Sequence, residues 1–177
     1  MKRQPLLNLL DQHQPFDDKE QQMLVTTKDF VISNSDCFER SLNIGHITGS
    51  AWIIDKTHEH VLLMHHRKLN RWFQPGGHAD GQSDVLKVAI KEAQEETGLT
   101  DIQVVSELIF DIDVHLIPEN PKEIAHYHYD IRFLFVADIN SVLQINAESK
   151  NLSWVKLNEV SLYNDSDSIM RMVQKSC

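Results

Sequence analysis

Cysteine is scarce in this 177-residue chain. Cys37 and Cys177 are the only two, too few for the disulfide framework of a small secreted domain. No apolar run approaches the ~20 residues needed to span a bilayer. The opening MKRQPLLNLLDQHQ combines basic residues with leucines, but Asn8 and Asp11 interrupt it, so it does not read as a secretory signal. A reducing cytoplasm is the setting these absences imply. Positive charge is also short: 17 Lys and Arg against 26 Asp and Glu leave a net charge of −9. That argues against broad binding to nucleic-acid backbones, so neither a nucleic-acid polymer nor a membrane is expected as partner. A small phosphate-bearing ligand stays open, with bound cations or a basic patch such as His65, His66, Arg67, Lys68 and Arg71 offsetting its charge. Internal repeats and low-complexity tracts are absent too.

What is present fits one unit of ordinary soluble composition, 41% hydrophobic and 24% charged. It is long enough to bury a core. Residues 4–14 and 17–33 read as helices. The second has Asp17 and Glu20 at capping-box spacing, with Phe16 placed as a hydrophobic staple. Met23, Leu24, Thr27, Phe30 and Val31 then recur at helical intervals. These helices form an N-terminal extension, residues 1–40, expected to pack on the main domain at 41–177 or on the partner subunit of a homodimer. Strands are expected at 46–55, 60–66, 71–75, 102–117, 124–138 and 151–156. One helix lies between the third and fourth, and another closes the chain at 165–175. The class is α+β.

The most informative stretch is GHADGQSDVLKVAIKEAQEETGL, Gly77 to Leu99. At about 100° per residue, Glu92, Glu95 and Glu96 project from one face of a helix. Leu86, Ala89, Ile90, Ala93 and Thr97 form an apolar stripe roughly 120° away that anchors the helix to a core. Three like charges on one surface repel each other unless a cation sits among them. Hard divalent cations with oxygen ligands suit that place, and Mg²⁺ also favours phosphate oxygens. Gly98 stands where a left-handed helix C-cap belongs, and Gly76-Gly77 permits close backbone approach to a ligand.

This spacing resembles the Nudix box: glycine, five residues, glutamate, seven residues, then Arg-Glu-apolar-x-Glu-Glu-x-Gly-apolar. Gly77 takes the first glycine and Gly98-Leu99 the last pair, while Glu92, Glu95 and Glu96 take the three metal-binding positions. Ser83 stands where the upstream glutamate belongs, and Lys91 replaces the arginine. In the family that pair braces the loop against the helix; Asp84 and Asp80 are the nearby carboxylates to replace it. The preceding RWFQPGG looks like the strand and turn that Nudix domains place before the box. The resemblance implies a Nudix-type α/β/α sandwich with a mixed sheet and the N-terminal helical extension.

A second constellation lies in IAHYHYDIRFLFVAD, residues 124–138. Strand alternation puts His126, His128, Asp130 and Arg132 on one face, and Tyr127, Tyr129, Ile131, Phe133 and Phe135 on the other. Asp111, Asp113 and His115 share a face of the preceding strand. Imidazoles and carboxylates there could build a metal site or a substrate floor, and imidazole suits zinc, manganese or iron better than magnesium. The plain reading is a solvated polar face with charges paired across strands. Over residues 46–137 the chain also resembles isopentenyl-diphosphate isomerase, which shares the Nudix fold and holds an extra metal through histidines and glutamates. HITGSAW, with His46, Ser50 and Trp52, is similar to its His-x-x-x-Ser-x-Trp with the serine one place off. Gly76-Gly77-His78 matches its Cys-Gly-His, and His128 and Asp130 fall at its alternating glutamates. That resemblance implies a softer transition-metal site at His46, His78, His128 and Asp130. The isomerase needs an acid and a base across an alkene, whereas its cysteine position here is Gly76.

The expected function is therefore that of a Nudix diphosphate hydrolase, acting on a nucleoside diphosphate linked to another group or a related organic diphosphate. Glu92, Glu95 and Glu96, with the Gly77 carbonyl, hold Mg²⁺ or Mn²⁺ as in the family. Those ions bind the diphosphate, lower the pKa of a water and stabilise the leaving oxygen. Glu95, Glu96 and Glu148 are the candidates for catalytic base. Trp72, Phe73, Tyr127 and Tyr129 are candidates to stack a base. The competing readings are an isomerase-like enzyme and a sensor that binds a diphosphate ligand without turning it over.

Overall fold

Gly45–Asp55, a strand of 11 residues designated β1, is buried along its whole length. A strand covered on both faces carries apolar residues on both. Ile47, Ala51 and Ile53 turn to one side, Trp52 and Ile54 to the other. The computed structural model describes residues 2–121 and 123–177. Around β1 the order is α1 (Gln4–Gln12), α2 (Asp18–Ser33), β1, β2 (His60–His66), β3 (Arg71–Phe73), β4 (Gly76–His78), α3 (Val85–Thr97), β5 (Gln103–Val104), β6 (Asp111–Ile117), β7 (His126–Ala137) and β8 (Ser149–Lys156). A 3₁₀ turn at Leu157–Leu162 and α4 (Asp167–Lys175) follow.

The strands form one mixed sheet with a parallel pair at its centre. β1 runs alongside β7 from Gly45 opposite Tyr127 to Asp55 opposite Ala137. The other pairings are antiparallel: β4 and β2 on β1, β6 and β5 on β7, and β3 and β8 on β2. One face packs on α1, α2 and α3, whose apolar side chains join Ile47, Ile131, Phe133 and Phe135 in the larger core. The 3₁₀ turn and α4 cover the other face around Trp52, Ile54, Ile169 and Met172. This is the expected α+β class, a Nudix-like α/β/α sandwich.

The N-terminal helices lie on the main domain. Leu6, Leu10, Leu24 and Val31 are buried in the larger core, and the Phe30 ring stacks on Tyr129 with centroids 3.8 Å apart. The capping box forms only by half. Asp17 Oδ1 accepts from the Glu20 N–H at 2.7 Å, but Glu20 turns inward instead of returning to Asp17. Phe16 is 51% exposed and staples nothing. The single strand expected at 102–117 is two. Val104 pairs with Phe135 and Asp111 with Arg132, so seven steps on one side meet three on the other and four residues loop out. Alternating apolar residues hide such an excursion, because the period resumes after it.

Glu20 ties these layers together. Its carboxylate is fully buried and accepts from Lys175 Nζ at 2.9 Å, the Ile112 N–H at 3.1 Å and the Phe16 N–H at 2.7 Å. His13 Nε2 lies 2.8 Å from it, and His13 Nδ1 lies 3.1 Å from the Ile109 carbonyl. Burial alone would push the Glu20 carboxyl up, but the hydrogen bonds from His13, Phe16 and Lys175 outweigh it and hold the pKa at about 2, against 4.5 ordinarily. The folded pKa is the lower one, so the stabilisation is complete above about pH 4.5 and is lost as pH falls toward 2. Glu20→Gln should destabilise the protein at neutral pH, and its deficit should shrink by about 3 kcal/mol between those limits. Urea denaturation of both proteins across that range checks this; a deficit independent of pH contradicts the assignment.

Candidate active site and metal centre

Helix α3 places the acidic set. Asp84 caps it, accepting from the Lys87 N–H, and Gly98 closes it in the left-handed conformation at φ 75° with its N–H on the Gln94 carbonyl. Val85, Val88, Ala89 and Ala93 bury one side in the larger core. The three glutamates then differ in depth. Glu96 is buried at 4% exposure, while the Glu92 and Glu95 side chains are 17% and 57% exposed.

Strand β4 meets these carboxylates with bare backbone. The Gly76 N–H donates to Glu96 Oε2 at 2.8 Å. A Cβ at Gly77 would lie 2.5 Å from Glu92 Oε2, and one at Gly76 would lie 2.2 Å from Ser50 Oγ. Burial pushes the Glu96 carboxyl up; the Gly76 hydrogen bond opposes that, and the neighbouring charges of Glu92, Glu148 and Glu95 reinforce it, to about 8. Glu92 is also raised, by burial first, with Lys91 opposing and Glu95 and Glu148 adding. Lys91 does not brace the preceding loop. Its Nζ sits between Glu92 Oε1 at 3.2 Å and Glu95 Oε2 at 3.1 Å. Ser83 is half-buried just ahead of the cap, Asp80 pairs with Arg40, and Asp84 is spent on its cap and on Lys87.

Glu148 is exposed in the loop just ahead of β8, close enough for its charge to raise both Glu92 and Glu96. Arg67 holds its loop, with Nε on the Ala147 carbonyl and Nη2 on the Ser149 carbonyl. This fixed role takes Arg67 out of the basic patch, and nothing in the spacing of residues 65–68 signals it. A cavity of about 390 Å³ opens beside α3, lined by His78, Asp80, Lys87, Lys91 and Glu92 among others. Of the aromatic candidates, Tyr129 is core, and Trp72 stacks on His65 with centroids 4.9 Å apart.

On the α4 side of the sheet, Asp111 and Asp113 of β6 and Asp130 and Arg132 of β7 are buried, not solvated. Arg132 contacts Asp130 at 2.8 Å, Asp111 at 3.1 Å and Asp113 at 3.2 Å, and Arg171 of α4 contacts Asp111 at 2.8 Å. Burial pushes the Asp113 carboxyl up, but Arg132, the His115 hydrogen bond and Arg171 bring it down to about 2. Further along the same face stand the histidines. Candidate ligand atoms of His46, His78 and His128 all lie within 4.8 Å of one another. Among the described residues they are the group of histidine, cysteine and acidic side chains that converges so closely. Burial, then the neighbouring imidazoles, lower His46 to about 4 and His128 to about 2. Asp130 does not join them. Thr48 Oγ1 and Ser50 Oγ donate to its Oδ1, and Arg132 Nε and Gln74 Nε2 donate to its Oδ2. Its lone pairs are already committed, and the strand alternation that placed it beside His128 could not reveal those donors.

A model of the NUDIX domain matches residues 46–174. The chain belongs to the Nudix family. It is a Nudix-type diphosphate hydrolase in class. Among its Nudix relatives is the bis(5'-nucleosyl)-tetraphosphatase [asymmetrical] of Rattus norvegicus, 25% identical over 104 residues, or 58% of this chain and 67% of that protein. Its fold is similar to that of a C. elegans Ap4A hydrolase in a binary complex, at TM-score 0.60 and 18% identity, over 73% of this chain and 93% of that one. A NUDIX-family hydrolase from Clostridium perfringens follows at TM-score 0.56 and 21% identity, over 74% and 95%.

The Nudix glycines are unequal in what they tolerate. A methyl at Gly76 would also come within 2.9 Å of the Ser50 Cα, and backbone cannot step aside as a flexible side chain can. Gly76→Ala should cost about 1–3 kcal/mol, and Gly77→Ala less, since the Glu92 carboxylate can swing away. Thermal denaturation of the two variants decides; equal melting temperatures would contradict the packing.

Proposed function

We propose that this Nudix protein hydrolyses the diphosphate linkage of a nucleoside diphosphate joined to another group, with a divalent cation held on α3. The observation that carries the reading is the docking of α3 against β4, which sets Glu96 on the Gly76 N–H and Glu92 against Gly77. Three carboxylates of graded exposure beside a cleft fit a hard cation with oxygen ligands. Glu92, Glu95 and Glu96 would hold Mg²⁺ or Mn²⁺ with the Gly77 carbonyl. The absence of a Cβ at Gly77 leaves room for the Glu92 carboxylate. When bound, the ion supplies Lewis-acid stabilisation of charge on phosphoryl oxygens and acidifies water.

The chain's own groups do the rest. The Gly76 N–H orients Glu96 through one oxygen and leaves the other free. Glu95, exposed on the same face, is placed to take a proton from an attacking water, and Glu148 on its Arg67-held loop is the alternative base. Lys91 must release Glu92 and Glu95 when the cation enters, and its ammonium then becomes available to substrate phosphate across the cleft it lines. No group at Gly76 can act as acid or base, which speaks against allylic isomerisation. The similarity to a bis(5'-nucleosyl)-tetraphosphatase makes dinucleoside tetraphosphates the first compounds to test. The cytoplasm is part of the same reading, with Cys37 and Cys177 both free.

Phosphate release should be measured by coupling to a phosphatase, with Mg²⁺ or Mn²⁺, over dinucleoside polyphosphates, sugar nucleotides and isopentenyl diphosphate. Glu96→Gln should lower turnover at least ~100-fold. It should keep or raise the melting temperature of the metal-free protein, because the amide oxygen still accepts from Gly76 and a buried carboxylate is gone. Near-normal turnover in that variant would remove Glu96 from the site. Ligand-induced stabilisation without product over hours would replace hydrolysis with sensing.

A further inference from the structure

Five imidazoles gather where β1, β4, β6 and β7 come together. His46 has ring centroids 4.9 Å from His78, 5.0 Å from His126 and 4.8 Å from His128. His115 stands 5.5 Å from His128. All five belong to strands whose register is set by pairing: His46 lies opposite His128, His128 opposite His115 and His78 opposite Thr48, while His126 is two residues along β7.

Their hydrogen bonding divides them. His115 Nδ1 lies 3.0 Å from Asp113 Oδ2, and His126 Nδ1 lies 2.8 Å from the Ile124 carbonyl. His46 is only 3% exposed, yet among the described residues neither of its ring nitrogens has a partner, and His128 Nε2 has none either. Each such buried, unpaired group costs free energy comparable with a lost hydrogen bond. Mutual hydrogen bonds between the rings would remove that cost, but the partnerless nitrogens show that the rings do not make them. Each neutral ring still offers one lone pair toward the others.

We propose that His46, His78 and His128 bind one divalent transition-metal ion of the zinc class, at a site distinct from the carboxylates of α3 and without Asp130. A nitrogen-only donor set favours Zn²⁺ and its neighbours over Mg²⁺. Three imidazoles with a fourth position open is a recurrent zinc arrangement. Nitrogens around tetrahedral zinc stand about 3.3 Å apart, given Zn–N bonds of about 2.0–2.1 Å, so the rings close inward modestly on binding. His78 also lines the cleft that Glu92 lines, so the ion sits behind the wall of that cleft. The site does not rest on the hydrolase reading.

The test uses the full chain, stripped with a chelator and titrated with Co²⁺ in excess Mg²⁺, which occupies oxygen sites and leaves imidazoles free. Visible absorption reports nitrogen-ligated, low-coordinate Co²⁺. One equivalent should bind, raise the melting temperature and be displaced by Zn²⁺. His128→Gln should weaken binding at least ~100-fold, beyond the loss expected for an outer-shell partner. His46 lies deep in the fold, whereas His78 and His128 are both half-buried, so His78→Gln is the companion to His128→Gln: it should keep the metal-free melting temperature and still lose the ion. Glu96→Gln should bind Co²⁺ within about twofold of the unaltered protein. Failure of the unaltered protein to bind Co²⁺ in excess Mg²⁺, retained binding in His78→Gln, or loss in Glu96→Gln each overturns the proposal.

Discussion

Parallel pairing of β1 with β7 is the constraint from which the rest of the molecule follows. Its unbroken register, Gly45 opposite Tyr127 through Asp55 opposite Ala137, buries a strand pair on both faces and assigns every side chain to one of two cores. It also commits one face to a sequence of different chemistries. From the end nearer Trp52, an apolar patch gives way to the Arg132 ion cluster and then to the imidazoles. The ion cluster is tolerable only because it is complete. Arg132 would be costly alone at its depth, but three aspartates surround it, and Arg171 and Lys175 from α4 neutralise Asp111 in turn. The same α4 covers the apolar patch, so one helix serves both.

The two ends of the candidate chemistry differ in how they treat charge. On α3, Glu92 and Glu96 are crowded together and partly buried, a state that favours their neutral forms until a cation arrives. Around His46 what goes unsatisfied, among the described residues, is a set of imidazole nitrogens. Oxygen donors with surplus negative charge suit hard ions that keep water and phosphate in their shell, whereas neutral nitrogens suit ions that bind more covalently. A chain of net charge −9 can hold both kinds because β4 stands between them.

Much of this was legible in residue order. The helix carrying Glu92, Glu95 and Glu96, its Gly98 cap and the limits of β2 follow from local rules of spacing and conformation. Alternation also placed His128, Asp130 and Arg132 on a common face. What it could not supply was the covering of that face, because Arg171 and Lys175 lie about forty residues further on in an amphipathic helix whose docking is a tertiary fact. Asp130 therefore read as a ligand when its oxygens were already taken by Thr48, Ser50, Gln74 and Arg132. The break between β5 and β6 escaped for a related reason: a periodic pattern records which residues face inward, not which partner they face. Lys91 read as a lost arginine, and only the geometry shows it lodged among the glutamates.

Gly76 has a consequence for the history open to this protein. Its Cα rests on Ser50, whose hydroxyl serves Asp130, while its amide serves Glu96. Any side chain there would collide with Ser50 before it could reach toward a ligand. A nucleophile or acid at 76, where the resemblance to the isomerase would call for a cysteine, is thus not one substitution away. A change at Ser50 would have to come first, and it would leave Asp130 short of a donor. The descent of such a fold between hydrolysis and isomerisation would then depend on the order of its mutations, with this serine and glycine acting as a latch.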